Sequence, residues 1–310
     1  MRYITVENLP AVSRIGLGTI RFGERSFDPD LAGAIIARAL ELGVTHFDTA
    51  ASYGSGRSER LLGQVLATHH NTSAVVTSKA FPFLPLPGAI SRAARASRQR
   101  LDLSQIPLYL LHMPNPLARR PIMHDFARAR DAGVIGSIGV SNHSLAQWQN
   151  AEASAGQPII ANEILLNLLH RKALTDAVPW AVQHGRLVIA AGPLAQGMLT
   201  GRYDSGQPPT GVRGFRRLGF RFAAFAPTSR NFRRFQPLLA ELRAAAASHN
   251  VSPAAIALAW AISHDPVVVI PGASTIEQLE ANVAAADITL DAAEAEALEA
   301  AADQVRSPKT

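Results

Sequence analysis

Four polar side chains stand where apolar, β-like runs of the sequence break off. Asp48 ends THFD and Tyr53 follows inside the glycine- and serine-rich turn TAASYGSG; Lys79 ends AVVTSK, and His112 ends LYLLH. Taken singly, each has an ordinary structural role: the acid can cap a turn, the phenol can pack, the lysine can reach solvent, and the histidine can sit hydrogen-bonded in a core. Taken together they are the parts of a general-acid site. An ammonium beside a phenol stabilises the phenolate and is expected to draw the tyrosine pKa from about 10 toward working pH. The aspartate would balance and orient the lysine, and the histidine would position a carbonyl oxygen beside the phenol. No side chain supplies hydride, so carbonyl chemistry on this set implies a nicotinamide cofactor. Lys79 stands out further because Lys79, Lys172 and Lys309 are the only lysines among 30 Lys and Arg residues. Arginine stays charged, whereas the compact lysine charge responds to its surroundings.

Such residues meet only if the chain brings strand ends together. Short β-like runs alternate with helical patterns along the whole sequence, with no Pro/Gly/Ser linker or shift in composition to divide it. The expected strands cover 14–18, 45–49, 74–78, 108–112, 137–140, 159–163, 187–191 and 267–270. Helical patterns lie between them near 29–42, 58–67, 88–101, 122–132, 145–153, 172–184 and 253–263, and another follows at 276–285. Eight β/α repeats close most naturally into an α/β fold of the (β/α)8 TIM-barrel type, whose strand C-termini converge on one mouth. The expectation is a single domain over 1–310, with a long insertion after the seventh strand near 201–234 and an extra helix behind it. A C-terminal helix at 291–305 would start on an Asp291/Glu294 capping box. The rival, a doubly wound open sheet, needs G-x-G-x-x-G between strand and helix, and GLGTIRFG has its last glycine too far away.

Composition narrows the function classes. Hydrophobic residues make up 47% and charged residues 17%, enough to build a core and unlike a disordered chain. The absence of cysteine rules out disulfides and thiolate metal sites, and no metal is expected, since His69 and His70 are adjacent and face differently on a helix. The net charge of +6 comes from scattered arginines without interleaved aromatics, so neither nucleic acid nor membrane is an expected partner. The N-terminus MRYITVENLP does not read as a secretory leader, and cytoplasmic location is the expectation.

The stretches GLGTIRFG, GVTHFDTAASYGSGRSERLLG, LLHMPNP, IGSIGVSNHS, NEILLNLLHR, GPLAQGMLTGRY and IPGASTIEQLEANV occur in that order over almost the whole chain. In this the sequence resembles the aldo-keto reductase family. The resemblance implies a catalytic tetrad of Asp48, Tyr53, Lys79 and His112, with Tyr53 as proton donor, Lys79 and Asp48 tuning it and His112 orienting the carbonyl. It implies NADPH/NADP as cofactor, with NADH possible, and an NAD(P)H-dependent oxidoreductase that interconverts a carbonyl and an alcohol. Cofactor contacts carried over by position are Gly18, Thr19, Asp48, Ser141, Asn142, Glu163, Pro193, Leu194, Gln196, Gly197, Gly272, Ser274, Thr275, Gln278 and Asn282. Ser141 and Asn142 would hold the nicotinamide carboxamide, Ser274 and Thr275 would receive phosphate at a helix start, and Gln278 and Asn282 would meet the adenosine.

The sequence departs from the family pattern in places. Glu163 takes a usual glutamine position and Leu166 a usual aromatic one, while Ala191 and Gly192 stand where many relatives have an aromatic and a serine. An ionised Glu163 only accepts hydrogen bonds, and its charge would favour oxidised nicotinamide. Without the aromatic at 191 the ring would be held less closely. The motif around 272–282 contains no Arg or Lys to grip a 2′-phosphate. Phe22, Phe81, Phe83, Met113 and Asn115 follow strand ends and, with Tyr53 and His112, are the expected substrate lining. Arg213, Arg216, Arg217 and Arg221 would attract an acidic substrate to the insertion or simply face solvent. Two other readings of the same residues are a nucleotide-binding regulatory or sensing protein, and a lyase or isomerase that reuses Tyr53 and Lys79 for proton transfer.

Overall fold

The structure is a computed structural model that describes residues 1–69, 73–81, 86–115, 119–202 and 229–306. Of the residues singled out above, His70, Phe83, Arg213, Arg216, Arg217, Arg221 and Lys309 lie outside the described residues, as does the insertion over 203–228.

The chain opens with an antiparallel hairpin, β1 (Tyr3–Ile4) and β2 (Val12–Ser13), which sequence periodicity does not reveal because two-residue strands are too short to alternate. Eight parallel strands follow: β3 (Leu17–Gly18), β4 (His46–Asp48), β5 (Val75–Ala80), β6 (Ile106–Leu111), β7 (Ile135–Ser141), β8 (Ile159–Leu165), β9 (Leu187–Ala191) and β10 (Val267–Val269). Each is hydrogen-bonded to its neighbour in sequence. The sheet curls until Ile15 bridges Val269 in parallel, with the Gly16 N–H donating to the Val269 carbonyl at 2.8 Å and the Val269 N–H to Arg14 at 2.9 Å. This is the expected (β/α)8 barrel. Gly18 lies at the closing seam, where an added Cβ would stand 2.8 Å from the Ile270 carbonyl.

Helices α1 (Pro29–Glu41), α2 (Arg57–Thr68), α3 (Ala89–Leu101), α4 (Arg119–Asp131), α5 (Leu145–Ala155) and α6 (Ala177–His184) cross between strands; α7 (Ser229–Ser248) and α8 (Pro253–Ile262) precede β10, and α9 (Ile276–Ala284) and α10 (Ala292–Arg306) follow it. The pattern read as one helix over 172–184 is a 3-10 turn (Lys172–Thr175) and then α6, because the Asp176 carboxylate accepts the Ala177 N–H at 2.6 Å and restarts the helix. The extra helix α7 begins at Ser229, inside the span read as insertion. At the start of α10, Asp291 and Glu294 form the expected reciprocal capping bonds at 2.8 and 3.0 Å.

Two apolar layers hold the barrel. Outside, strand side chains such as Phe47 and Tyr109 pack with helix side chains such as Phe126, Trp148 and Trp260. Inside, Val75, Leu108, Leu110, Leu187, Ile189 and Val268 fill the lower barrel, and Val6, Leu9 and Val12 of the N-terminal hairpin cover its floor. Strands covered on both faces read as continuous runs. Polar residues in such a strand, like Thr77, Ser78 and Lys79 of β5, are therefore carried into the interior.

Candidate active site

At the C-terminal mouth Asp48 is the last residue of β4, and its backbone is fixed by hydroxyls from three elements. Thr19 Oγ1 donates to the Asp48 carbonyl at 2.8 Å and lies 2.6 Å from Ser58 Oγ, which also donates to the Thr19 carbonyl and accepts from Thr49 Oγ1, each at 3.0 Å. This network was not read from the sequence, where Thr49 and Ser58 look like ordinary turn and helix residues. The loop carrying Tyr53 is pinned by glycine: Gly54 has φ +59°, and a Cβ there would lie 2.0 Å from the Gly23 carbonyl. Only glycine allows two loops to touch at that distance.

Lys79 is fully buried, which excludes a solvent-facing role. Its Nζ donates to Asp48 Oδ1 and Oδ2 at 2.7 and 2.6 Å, to the Thr49 carbonyl at 3.1 Å and to the Tyr53 hydroxyl at 3.4 Å. The ammonium also lies 5.2 Å from the Tyr53 ring centre. His112 follows β6 and meets Tyr53 edge-on, with ring centres 6.2 Å apart; Phe81 meets His112 in the same way at 5.6 Å. The fold thus gathers all four expected catalytic side chains in one place. His112 Nδ1 is buried without a hydrogen-bond partner, so this is not a core histidine satisfied by its surroundings.

Glu163 joins the same cluster. Its Oε2 lies 3.1 Å from Lys79 Nζ, at ion-pair distance but without hydrogen-bond geometry. Two buried carboxylates therefore face one ammonium. Burial works against a charged Lys79, but Asp48, Glu163 and Tyr53 outweigh it and hold the ammonium above its ordinary pKa. The Asp48 carboxyl is pushed well above the carboxylate range by burial and by the nearby Glu163 charge, against the pull of Lys79. The expectation that Lys79 draws the Tyr53 pKa down is not met. Burial, with Asp48 and Glu163, outweighs Lys79 and raises the phenol pKa above 10 instead of lowering it. The phenol therefore keeps its proton at neutral pH. Burial and the Lys79 charge lower the His112 pKa to about 3, so the imidazole is neutral there.

A half-buried phenol beside a buried ammonium and acid at a barrel mouth, with a neutral imidazole next to them, has the groups that proton donation needs. The model of the Aldo/keto reductase family matches residues 14–303. The chain belongs to the aldo/keto reductase family. It is 48% identical, over 100% of its own length and 95% of the other, to an uncharacterised oxidoreductase of Mycobacterium tuberculosis, and 30% identical to a methylglyoxal reductase of Escherichia coli over 93% and 89%. Among solved structures, an aldo-keto reductase of Klebsiella pneumoniae in complex with NADPH superposes with a TM-score of 0.76 at 28% identity, covering 97% of this chain and 95% of that one. A glycerol dehydrogenase of Gluconobacter oxydans superposes with a TM-score of 0.87 at 25% identity, over 99% and 97%.

Within this aldo/keto reductase barrel the expected cofactor residues fall along one rim. Ser141 ends β7 in register with Glu163 of β8, and the Asn142 N–H donates to the Glu163 carbonyl at 2.8 Å. Asn142 Nδ2 donates to the His112 carbonyl at 3.3 Å and to Ser141 Oγ at 3.0 Å, tying this corner to the histidine. Pro193, Leu194, Gln196 and Gly197 follow β9 in a turn where Ala195, Gln196 and Gly197 all have positive φ. Gly272 lies across from Gly18, and Ser274 and Thr275 lead into α9. Here Gln278 is committed to the helix start, its Oε1 accepting the Ser274 N–H at 2.9 Å, and Asn282 is buried with Nδ2 donating to the Gly272 carbonyl at 3.4 Å. Arg21, after β3, brings a guanidinium to this motif across the seam and donates from Nη1 to Ser274 Oγ. No local pattern could have found it, since 253 residues separate the two.

One expectation needs revision, and the departures at 166 and 191 find their places. Phe22 is 1% exposed and packs on Phe27 with ring centres 5.1 Å apart, so it belongs to the core and not to an open lining. Leu166, at the usual aromatic position, is likewise fully buried. Ala191 ends β9 partly exposed, and the next carbonyl, that of Gly192, accepts from Asn167 Nδ2 at 2.8 Å. Phe81, Met113 and Asn115 remain at the mouth beside His112, all partly exposed. A cavity of about 380 Å³ between α3 and α4 reaches Phe81, but none of the four catalytic candidates lines it.

Proposed function

We propose that this barrel, acting as a single domain, interconverts an aldehyde or ketone and its alcohol with NADPH/NADP, Tyr53 serving as the acid. The observation that carries the reading is the protonated Tyr53 hydroxyl held 3.4 Å from a buried Lys79 that Asp48 grips with both oxygens. The rim fits a nicotinamide nucleotide. Ser141 and Asn142 offer donors and Glu163 Oε2 a buried, unsatisfied acceptor, matching the two halves of a carboxamide. Arg21 and the start of α9 offer a cation and backbone N–H groups to phosphate, which supports NADPH over NADH. When bound, the nicotinamide supplies hydride to the carbonyl carbon or takes it from the alcohol.

The side chains divide the remaining work. Tyr53 holds at its hydroxyl the proton that the carbonyl oxygen must receive. Neutral His112 orients that oxygen with a ring N–H, and Lys79 stabilises the phenolate left behind. Asp48 keeps the ammonium in place. Phe81, Met113 and Asn115 border the substrate, and the cytoplasm, where nicotinamide nucleotides circulate, is the compartment this reading implies. The test is NADPH consumption with a panel of aldehydes and ketones, for wild type and Tyr53→Phe. The expected result is a fall in kcat/KM of about 10²- to 10⁴-fold in the variant with NADPH binding retained. Equal turnover by the two proteins would remove Tyr53 from the role.

A further inference from the structure

The surroundings of Glu163 carry the nicotinamide reading one step further and rest on it. Its carboxyl meets Lys79 from β5, and through that ammonium it neighbours Asp48 from β4 and Tyr53 from the loop after β4; His112 after β6 packs on Tyr53. β7 presents the uncharged Ser141 and Asn142, followed by the buried His143 that bonds its own loop, and β9 presents no titratable side chain. Lys79 spends its short hydrogen bonds on Asp48 and the Thr49 carbonyl, which leaves Glu163 Oε2 near the ammonium but unbonded. Asp48 Oδ2 and Glu163 Oε2 thus lie 2.6 and 3.1 Å from the same Lys79 Nζ, which sets two buried carboxyls beside one ammonium. Two ionised carboxylates out of water repel each other and together outnumber the one cation, whereas a single proton held between them leaves the cluster neutral.

We propose that the Asp48 and Glu163 pair holds one proton between its two carboxyls, kept beside the uncharged reduced nicotinamide and released when the cationic oxidised ring occupies the mouth. The charge count follows from the side chains. With the proton, one ammonium, one carboxylate and one carboxylic acid sum to zero; without it, the cluster carries one negative charge, which complements a cation. Glutamine at 163 would leave the neutral Lys79–Asp48 pair with nothing to release. Glu163 is thereby a positioning residue that couples the oxidation state of the bound nucleotide to pH. The sign is that of a group whose pKa falls on binding the cation: NADP⁺ affinity rises with pH relative to NADPH.

The experiment is equilibrium binding of NADP⁺ and NADPH between about pH 6 and pH 9, by fluorescence titration and by calorimetry in buffers of different ionisation enthalpy, for wild type, E163Q, Y53F and H112Q. Taking the ratio of the two dissociation constants cancels the adenosine end, 2′-phosphate included, which is common to both nucleotides. In wild type the NADP⁺:NADPH ratio of dissociation constants is expected to fall by up to about tenfold per pH unit, with proton release on NADP⁺ binding only. In E163Q the ratio is expected to be flat, with no release and, at the upper end of the range, about tenfold higher than in wild type. Y53F is expected to keep the wild-type slope. If E163Q does not fold, Y53F excludes the phenol and H112Q, expected to keep the slope as well, excludes the imidazole. A flat ratio in wild type overturns the proposal, as does a slope that survives E163Q or disappears in Y53F or H112Q, since the proton would then belong to His112 or to the phenol. If wild type binds neither nucleotide, the cofactor reading fails and this inference with it; binding of both without pH dependence sinks the inference alone.

Discussion

At the floor of the barrel His46 is fully buried, with Nε2 3.0 Å from Thr77 Oγ1, its backbone N–H on Ser13 Oγ and no counter-charge in contact. Two residues further along the same strand, Asp48 is equally buried and is bound by the Lys79 ammonium, with Glu163 on its other side. Burial, helped by the distant Lys79 charge, lowers the His46 pKa to about 3, and the floor stays neutral. A neutral imidazole with one hydroxyl partner and an unpaired Nδ1 still costs less to enclose than an ion would. At the mouth the charges remain, and each is stable only because the others are present: removing water from an ion costs several kcal/mol, and its partners must repay that. The contrast teaches that along this one strand a neutral polar group fills the floor, while at the mouth charges are kept by one another.

The sharpest way to break the contrast is to remove the cation. Lys79→Met leaves Asp48 and Glu163 facing each other without it, and denaturant unfolding is expected to show a loss of about 3–5 kcal/mol. The loss should be smaller in acid, where a carboxyl takes up a proton; a loss that ignores pH would mean that packing, and not charge, was removed. At the floor, Leu108→Ala is expected to cost about 2–5 kcal/mol through its cavity, whatever the pH, and to leave nucleotide binding intact. Altered NADPH affinity in that variant would show that floor and mouth are coupled. The smallest effect per step comes from His46. Its folded pKa lies below the unfolded value, so the unfolded state binds the extra proton, and stability is expected to fall by about 1.4 kcal/mol for each unit that pH drops below the ordinary imidazole range, down to pH about 3. His46→Gln should flatten that part of the acid-unfolding profile, and an unchanged profile would assign the sensitivity elsewhere.

The clustered set was readable because Asp48, Lys79 and His112 interrupt apolar runs at strand ends and Tyr53 follows in the next turn, and parallel strands buried on both faces must send those ends to one mouth. Register also kept Ser141 and Glu163 side by side, as their places at the ends of successive strands implied. Phe22 was misread because a phenylalanine after a strand is the same letter whether it lines a pocket or packs on Phe27. The floor hairpin gave no periodic signal, and Arg21 reaches Ser274 only because the seam of the barrel brings the two ends of the chain together.

From sequence alone came the number and order of the β/α units, the (β/α)8 closure and the identity of Asp48, Tyr53, Lys79 and His112 as a set. These follow from short-range periodicity and from polar residues that break it. The tertiary structure decided the charge balance: that Lys79 serves two carboxylates, that Tyr53 is pushed up and not down, and that Glu163 belongs to the acid cluster as well as to the cofactor rim. The reason is physical. A pKa depends on distances of a few ångströms and on how much water is excluded, and neither is set until strands far apart in sequence close around the same space.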